Sequence, residues 1–324
     1  MTERRLDPTT GEWTTFATAR QDRTFLPPVG LCPLCPTTDP ARPTEVPRDA
    51  YDIAVFENRW PALSGRPPEP DLDGTSLYAV QPAFGAAEVL VFTSRHDATL
   101  ADLPVVQVAK LVDVWAHRYA ELGARPDVAY VFAFENKGEA IGVTLHHPHG
   151  QVYGYPDVPP RVAIEMRSAH DHLARHGTCV WCDVVAAEEV DGARLVLQGA
   201  AVSAYVPFAA RYPYEVHLSV RRHAGSLLDL DGTERRDLAE VLSLVLRAYD
   251  RLYGFSLPYV LSMHQRPTDG GDWDAISHLH LELTPLHRTA TKLKYLAGSE
   301  TGAGAFVADV RPEDAAARLR DLLP

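Results

Sequence analysis

Two stretches of the chain carry apolar residues at helical spacing. In the first, Val108, Leu111, Val112, Trp115, Tyr119 and Leu122 recur; in the second, Leu238, Val241, Leu242, Val245, Tyr249 and Leu252. Steps of three and four place each set on one face of a helix, so both stripes read as core-facing surface. The second helix is expected from about Glu234 to Leu252. Around these helices lie short apolar runs of strand length, at 54–61, 88–93, 128–134, 202–206 and 259–263. The pattern predicts strands, a long helix and more strands, twice over.

The polar residues repeat in the same order. Each half begins with a Cys-x-x-Cys pair, Cys32/Cys35 and Cys179/Cys182. Asn58-Arg59-Trp60-Pro61 is echoed by Ala210-Arg211-Tyr212-Pro213. Leu100, Asp102 and Leu103 follow His96 by four, six and seven positions, as Leu227, Asp229 and Leu230 follow His223. After the helix and one more strand, the first half reaches His147-Pro148-His149-Gly150-Gln151, and the second His278-Leu279-His280-Leu281-Glu282. So many ordered features point to an internal duplication. The expected fold is α+β, two similar halves, each an antiparallel sheet with a long helix, joined as one unit. The boundary is placed so that residues 1–170 form the first half and 171–324 the second.

Composition narrows the function. Apolar residues make up 46% and charged residues 23%, which suits a globular chain with a core. A formal net charge of -12 argues against a general nucleic-acid binder, though a few local Arg and Lys suffice for a nucleotide diphosphate. No run approaches the length of a membrane span, and the polar first residues lead into no apolar signal, so a cytoplasmic location is expected. In that reducing setting, paired cysteines more often hold zinc than form disulfides. The rival, a redox Cys-x-x-Cys, would follow a strand and open a helix; neither pair reads that way.

Each half supplies two thiols and two imidazoles: Cys32, Cys35, His96 and His147, then Cys179, Cys182, His223 and His278. Four protein ligands close a tetrahedral zinc site, which makes each ion structural. The plainer alternative leaves His96 and His223 as surface histidines after an arginine. In an extended segment, His147, His149 and Gln151 point to one face, and Pro148 marks a strand edge or end. If His147 is a ligand, His149 is held beside a metal but left free, and a neutral imidazole can attack phosphorus. Gln151 can donate to a phosphoryl oxygen without titrating, and Gly150 is expected to let the backbone approach a ligand. The Gly-rich stretch 134–142, with Asn136 and Lys137, could cradle a phosphate or be a plain loop.

These residues resemble the galactose-1-phosphate uridylyltransferase family of the histidine-triad superfamily. Phe134-Glu135-Asn136-Lys137-Gly138 followed by 147–151 carries the resemblance, supported by Arg4-Arg5, Pro8, Gly11 and Trp13, by Val55-Phe56-x-Asn58, and by Arg288 with Lys294-Tyr295. It covers nearly the whole chain, the stretch 315–320 only weakly. The resemblance implies two tandem histidine-triad-like halves. It also implies a double displacement in which His149 takes the uridylyl group of UDP-glucose and galactose 1-phosphate then accepts it, Gln151 holding the phosphoryl group. It places Arg20, Arg23, Asn58, Asn136 and Thr144 at the nucleotide or its phosphates. It places Lys294, Tyr295 and Glu300 at the sugar phosphate, reaching in from the partner of a homodimer.

The chain departs from that pattern in places. Ser299 and Phe306 stand where the family has a tyrosine and a glutamine, which bears on sugar choice. Some members carry iron on a glutamate and three histidines, here Glu165, His264, His278 and His280; since His278 is already expected at the second zinc, two zinc ions are preferred. His146 replaces a usual proline and has no assigned role. The competing readings are an ADP-sugar or dinucleotide phosphorylase or adenylyltransferase of the same superfamily, and a non-enzymatic zinc-stapled nucleotide-binding module.

Overall fold

The computed structural model describes residues 2–22 and 26–324, so the expectation for Arg23 falls outside the described residues. Strands β1 (Thr2–Asp7) and β2 (Glu12–Ala17) form a hairpin, followed after a long loop by β3 (Ala54–Glu57), β4 (Val80–Pro82) and β5 (Ala86–Val91). Helix α1 (Val105–Gly123) leads to β6 (Tyr130–Lys137) and β7 (His149–Tyr155). Then come α2 (Pro160–His176), α3 (Val180–Asp191), β8 (Leu195–Gln198), β9 (Val202–Tyr205) and β10 (Val216–Val220). Helix α4 (Gly232–Leu252), β11 (Tyr259–His264), β12 (His280–Pro285), α5 (Gly298–Ala303) and α6 (Pro312–Asp321) complete the chain.

Nine strands form one antiparallel sheet in the order β3-β5-β7-β6-β11-β12-β10-β9-β8. The halves meet where β6 pairs with β11, with Lys137 opposite Tyr259 and Asn136 opposite Val260. About that seam, β5-β7-β6 is answered by β10-β12-β11, so the duplication is a property of the fold. The third small sheet partner, β4, pairs with β1 outside this system.

The two apolar stripes behave as expected. Every stripe residue of α1 and α4 is buried, and the helices pack together on one face of the sheet. Each buried Leu or Val there contributes roughly 1.5–3 kcal/mol. Helix α4 begins at Gly232, ahead of the expected Glu234, because Asp231 accepts from the Thr233 and Glu234 amides while Glu234 returns to the Asp231 amide. The same device opens the 3-10 turn after each conserved-order histidine: Asp102 accepts from the Thr99 amide, and Asp229 from the Ser226 amide. Cross-half ties run from Tyr119 Oη to the Arg266 carbonyl (2.7 Å) and from Arg235 to Asp113 (3.2 Å).

Strand β7 starts one residue after Pro148 and lies between β5 and β6, so the proline marks a strand end inside the sheet. Gly150 has a reason besides the one expected. A Cβ there would meet the Phe134 carbonyl oxygen and the Phe92 ring, each at 2.8 Å, on the helix-covered face. Packing against Phe92 and the β6 backbone by itself requires a glycine here.

Candidate active site and metal clusters

The face of the sheet turned away from α1 and α4 carries the chemistry. Alternation along β7 sends His149, Gln151 and Tyr153 to that face. Register places Phe134 of β6 and Val89 of β5 beside Gln151, and Val91 beside His149. A cavity of about 140 Å³ opens here, lined by Asn58, Asn136, Thr144, His149 and Gln151 among the expected residues, with Leu34, Phe56, Arg59 and Trp60. Arg59 and Trp60 had been noticed only as part of the repeat; their place at the cavity follows from the turn after β3, which adjacency to Asn58 could have suggested.

His149 Nδ1 donates to the carbonyl of His147 at 2.7 Å. That bond fixes the tautomer with the lone pair on Nε2. Burial lowers the pKa of His149, the bond to His147 opposing, so the ring is neutral at pH 7. Gln151 Oε1 receives Asn58 Nδ2 at 3.4 Å and the Tyr153 hydroxyl at 3.2 Å. Arg20 does not line this cavity but donates to the Tyr153 oxygen at 3.2 Å. Lys294, Tyr295 and Glu300 do not line it either. Lys294 is buried against Glu300 (3.1 Å) and the Val307 carbonyl (2.6 Å), and Tyr295 is exposed. In the loop after β6, the N–H groups of Ile141, Gly142 and Val143 are engaged with the Gly138 and Glu139 carbonyls, so these three do not cradle a phosphate. The loop lines the cavity through Gly142, Val143, Thr144 and Leu145.

The ligand atoms of Cys32, Cys35, His96 and His147 lie within 4.8 Å of one another, as do those of Cys179, Cys182, His223 and His278. Cys35 Sγ is 3.3 Å from His96 Nδ1 and 3.5 Å from His147 Nδ1. Cys182 Sγ is 3.6 Å from His223 Nδ1 and 3.7 Å from His278 Nδ1. Outer bonds set each tautomer. Nε2 of His147 donates to the Thr93 carbonyl (2.7 Å), of His223 to Asp274 (2.7 Å) and of His278 to Val220 (2.8 Å). Nδ1 of each therefore faces the thiols with its lone pair. Cys179 stands at the N-cap of α3, but it follows helix α2 and not a strand, so, as expected, the pair does not take the strand-then-helix redox arrangement. A redox role does not suit that pair, because burial and the neighbouring Cys179 push Cys182 up to about 12. Burial and Cys32 likewise push Cys35 up to about 11. Thiols that hard to ionise are poor redox nucleophiles, and a divalent cation would supply the positive charge both sets lack.

A third cluster sits in the second half, and it corrects the expected iron set. Glu165, His264 and His280 do converge, but their fourth member is Glu282, while His278 belongs wholly to the Cys179 cluster. No histidine is contested. In register, His280 stands beside His264 and Glu282 beside Ser262 and His217, on the face of the sheet turned away from α1 and α4 and covered here by α2 and α3. His280 thus occupies the position of His149, and Glu282 that of Gln151. His264 bonds Glu165 at 2.8 Å, Trp181 stacks on His280 at 3.8 Å, and His280 Nε2 is buried without a hydrogen-bond partner. An orphaned imidazole nitrogen between two carboxylates fits a cation-binding set. The alternation His278-x-His280-x-Glu282 was the available signal for Glu282.

Comparison with known proteins places these features in context. A model of the N-terminal domain of galactose-1-phosphate uridyl transferase matches residues 1–159, and one of its C-terminal domain residues 165–323. Galactose-1-phosphate uridylyltransferase of Thermotoga maritima is 36% identical over 321 residues, covering 99% of this chain and 98% of that protein. A solved uridylyltransferase structure aligns with a TM-score of 0.87 at 38% identity, over 99% of this chain and 98% of that one. An ADP-glucose phosphorylase of Arabidopsis thaliana shares the fold at a TM-score of 0.74 and 24% identity, over 99% of each chain.

Proposed function

The chain belongs to the galactose-1-phosphate uridylyltransferase family, and from that we propose that it exchanges a uridylyl group between UDP-glucose and galactose 1-phosphate through a covalent intermediate on His149. Nε2 of His149 attacks the α-phosphorus; the bond to the bridging oxygen breaks, and glucose 1-phosphate leaves with that electron pair. A phosphate oxygen of galactose 1-phosphate then attacks the same phosphorus, the P–N bond breaks, and UDP-galactose forms. The single observation carrying this is the 2.7 Å bond from His149 Nδ1 to the His147 carbonyl, which leaves Nε2 free at the cavity. The same carbonyl stabilises the positive charge the ring acquires when Nε2 is bonded to phosphorus. Gln151, Asn58, Asn136 and Thr144 supply neutral polar groups around that phosphorus. They add no group that would readily protonate a leaving oxygen and favour water as acceptor.

Cys32, Cys35, His96 and His147 hold one structural zinc, and Cys179, Cys182, His223 and His278 a second. Closed thiolate–imidazole sets pin chain segments together and offer no position to substrate. Glu165, His264, His280 and Glu282, with harder donors, suit iron or zinc. Lys294, Tyr295 and Glu300 serve the sugar phosphate of a partner subunit in a homodimer, in keeping with their absence from the lining of this chain's own cavity. No helix among the described residues is long and apolar enough to cross a membrane; a cytoplasmic location suits four free thiols. An ADP-sugar phosphorylase reading rests on fold likeness alone and is the weaker one. Mass measurement after exposure to UDP-glucose tests the proposal: one added uridylyl group on the wild type supports it, and an adduct formed only with ADP-glucose overturns it.

A further inference from the structure

We infer that Tyr153 is a positioning residue for this transfer: with Arg20 behind it, its hydroxyl fixes the amide of Gln151 so that Nε2, not Oε1, faces the phosphoryl group. The inference rests on the uridylyl-transfer reading of the His149 cavity. Which end of a glutamine amide faces a substrate is decided by its other hydrogen bonds. Two chains of bonds end on Gln151, and each starts from a group that can only donate.

The first starts at Arg20. A guanidinium has no acceptor, so the 3.2 Å contact from Arg20 Nη1 makes the Tyr153 oxygen the acceptor. The phenolic hydrogen then points on to Gln151, 3.2 Å away. The second starts at the backbone amide of Trp60, which donates to Asn58 Oδ1 at 2.9 Å. That bond turns Asn58 Nδ2 toward Gln151, at 3.4 Å. Both neighbours bring a hydrogen, and only an amide oxygen satisfies both. Turning the amide over would set donors against donors. Nε2 is left for the cavity, where the non-bridging oxygens carry the growing negative charge of the transition state. A glutamine presented the other way would repel those oxygens.

Tyr153 is suited to hold the amide still. The ring is buried, packs edge-on against Phe134 with centroids 5.1 Å apart, and lies two residues along the same strand face from Gln151. The guanidinium also polarises the phenol and makes it a stronger donor. Neither Tyr153 nor Arg20 needs to touch the reacting atoms.

The test is a double-mutant cycle on the full chain with Tyr153→Phe, Gln151→Ala and both, following release of glucose 1-phosphate from UDP-glucose with saturating galactose 1-phosphate as acceptor. Tyr153→Phe keeps the ring, so the fold is retained, and circular dichroism melting checks this. The expected result is a kcat lowered about tenfold with KM for UDP-glucose changed less than about twofold, the signature of a contact that matters in the transition state. In the Gln151→Ala background, Tyr153→Phe should cost nothing further, since the amide it orients is gone. A single variant with wild-type kcat, or an equal loss in both backgrounds, overturns the inference, the latter by marking the hydroxyl as merely structural. If the wild type itself forms no uridylyl adduct, the reaction reading fails instead, and the two failures are distinct.

Discussion

His149 and His147 are joined twice, once along the chain and once by the 2.7 Å bond from the Nδ1 of His149 to the His147 carbonyl; His280 and His278 repeat that bond at 2.9 Å. The first pair couples the free imidazole to a ring that faces two thiols. The second has the same backbone geometry with different chemistry around it. There Glu282 replaces Gln151, and Trp181 and His264 stack on His280 at 3.8 and 4.7 Å. A carboxylate would repel a phosphate, and a ring so stacked offers no approach. The duplicated site keeps the scaffold but gathers a set of groups that could hold a cation.

His149→Gly is therefore expected to abolish exchange while the second half leaves no residual activity. Isotope exchange between UDP-glucose and glucose 1-phosphate measures it, and an unchanged melting temperature shows that the fold survives. Retained exchange would remove His149 as the nucleophile.

Metal analysis should return two zinc ions on the cysteine clusters and a further cation lost specifically in a Glu282→Ala, His280→Ala double variant. Cys32→Ser and Cys179→Ser should each cost more than about 3 kcal/mol in denaturant unfolding, because a closed metal site contributes directly to folding. They should differ in catalysis. Cys32→Ser loosens His147, whose carbonyl steadies His149, so kcat falls; Cys179→Ser should leave kcat nearly unchanged. Equal kcat losses would separate His147 from catalysis.

Gly150→Ala should destabilise by roughly 1–3 kcal/mol, the usual cost of overpacking, because its Cβ would sit 2.8 Å from the Phe92 ring and the Phe134 carbonyl. Adding Phe92→Leu should recover part of that loss in thermal melts. A glycine needed for ligand approach would instead leave stability intact and raise KM.

Stability should also depend on Glu135. This buried carboxyl accepts from Tyr259 Oη at 2.8 Å beside the β6–β11 seam, and burial raises its pKa from 4.5 to about 7. A raised folded-state pKa gives a contribution that is complete below about 4.5 and is lost as pH rises through about 7. Glu135→Gln, which can still accept from the phenol, should flatten the stability profile between pH 5 and pH 8 and be the more stable protein above about pH 7, by on the order of 3 kcal/mol at most. Denaturant midpoints across that range decide it; an unchanged slope would place the ionised form at no disadvantage.

Much of this was legible along the chain. The stripes on α1 and α4 announced their buried faces because helical periodicity is a local property. The ordered recurrence of Cys-x-x-Cys, His96 or His223, and the His-x-His strands announced two halves and two four-residue clusters, because the same short motifs must fold the same way twice. His149 and Gln151 were legible for a like reason: alternate residues of one strand share a face.

What the tertiary structure alone decided involves neighbours across strands. Glu282 joins Glu165, His264 and His280 because β12 lies between β11 and β10, so no spacing along the chain reveals that His278 is uncontested. Gly150 is needed for Phe92 on a neighbouring segment, and the N–H groups of 141–143 are turned inward by a loop closure that composition does not specify. The direction of the Gln151 amide depends on Arg20 and Asn58, 131 and 93 positions away. Periodicity fixes which face a side chain occupies; only the register of distant strands fixes which donors meet it there, and hydrogen-bond geometry is settled by those donors.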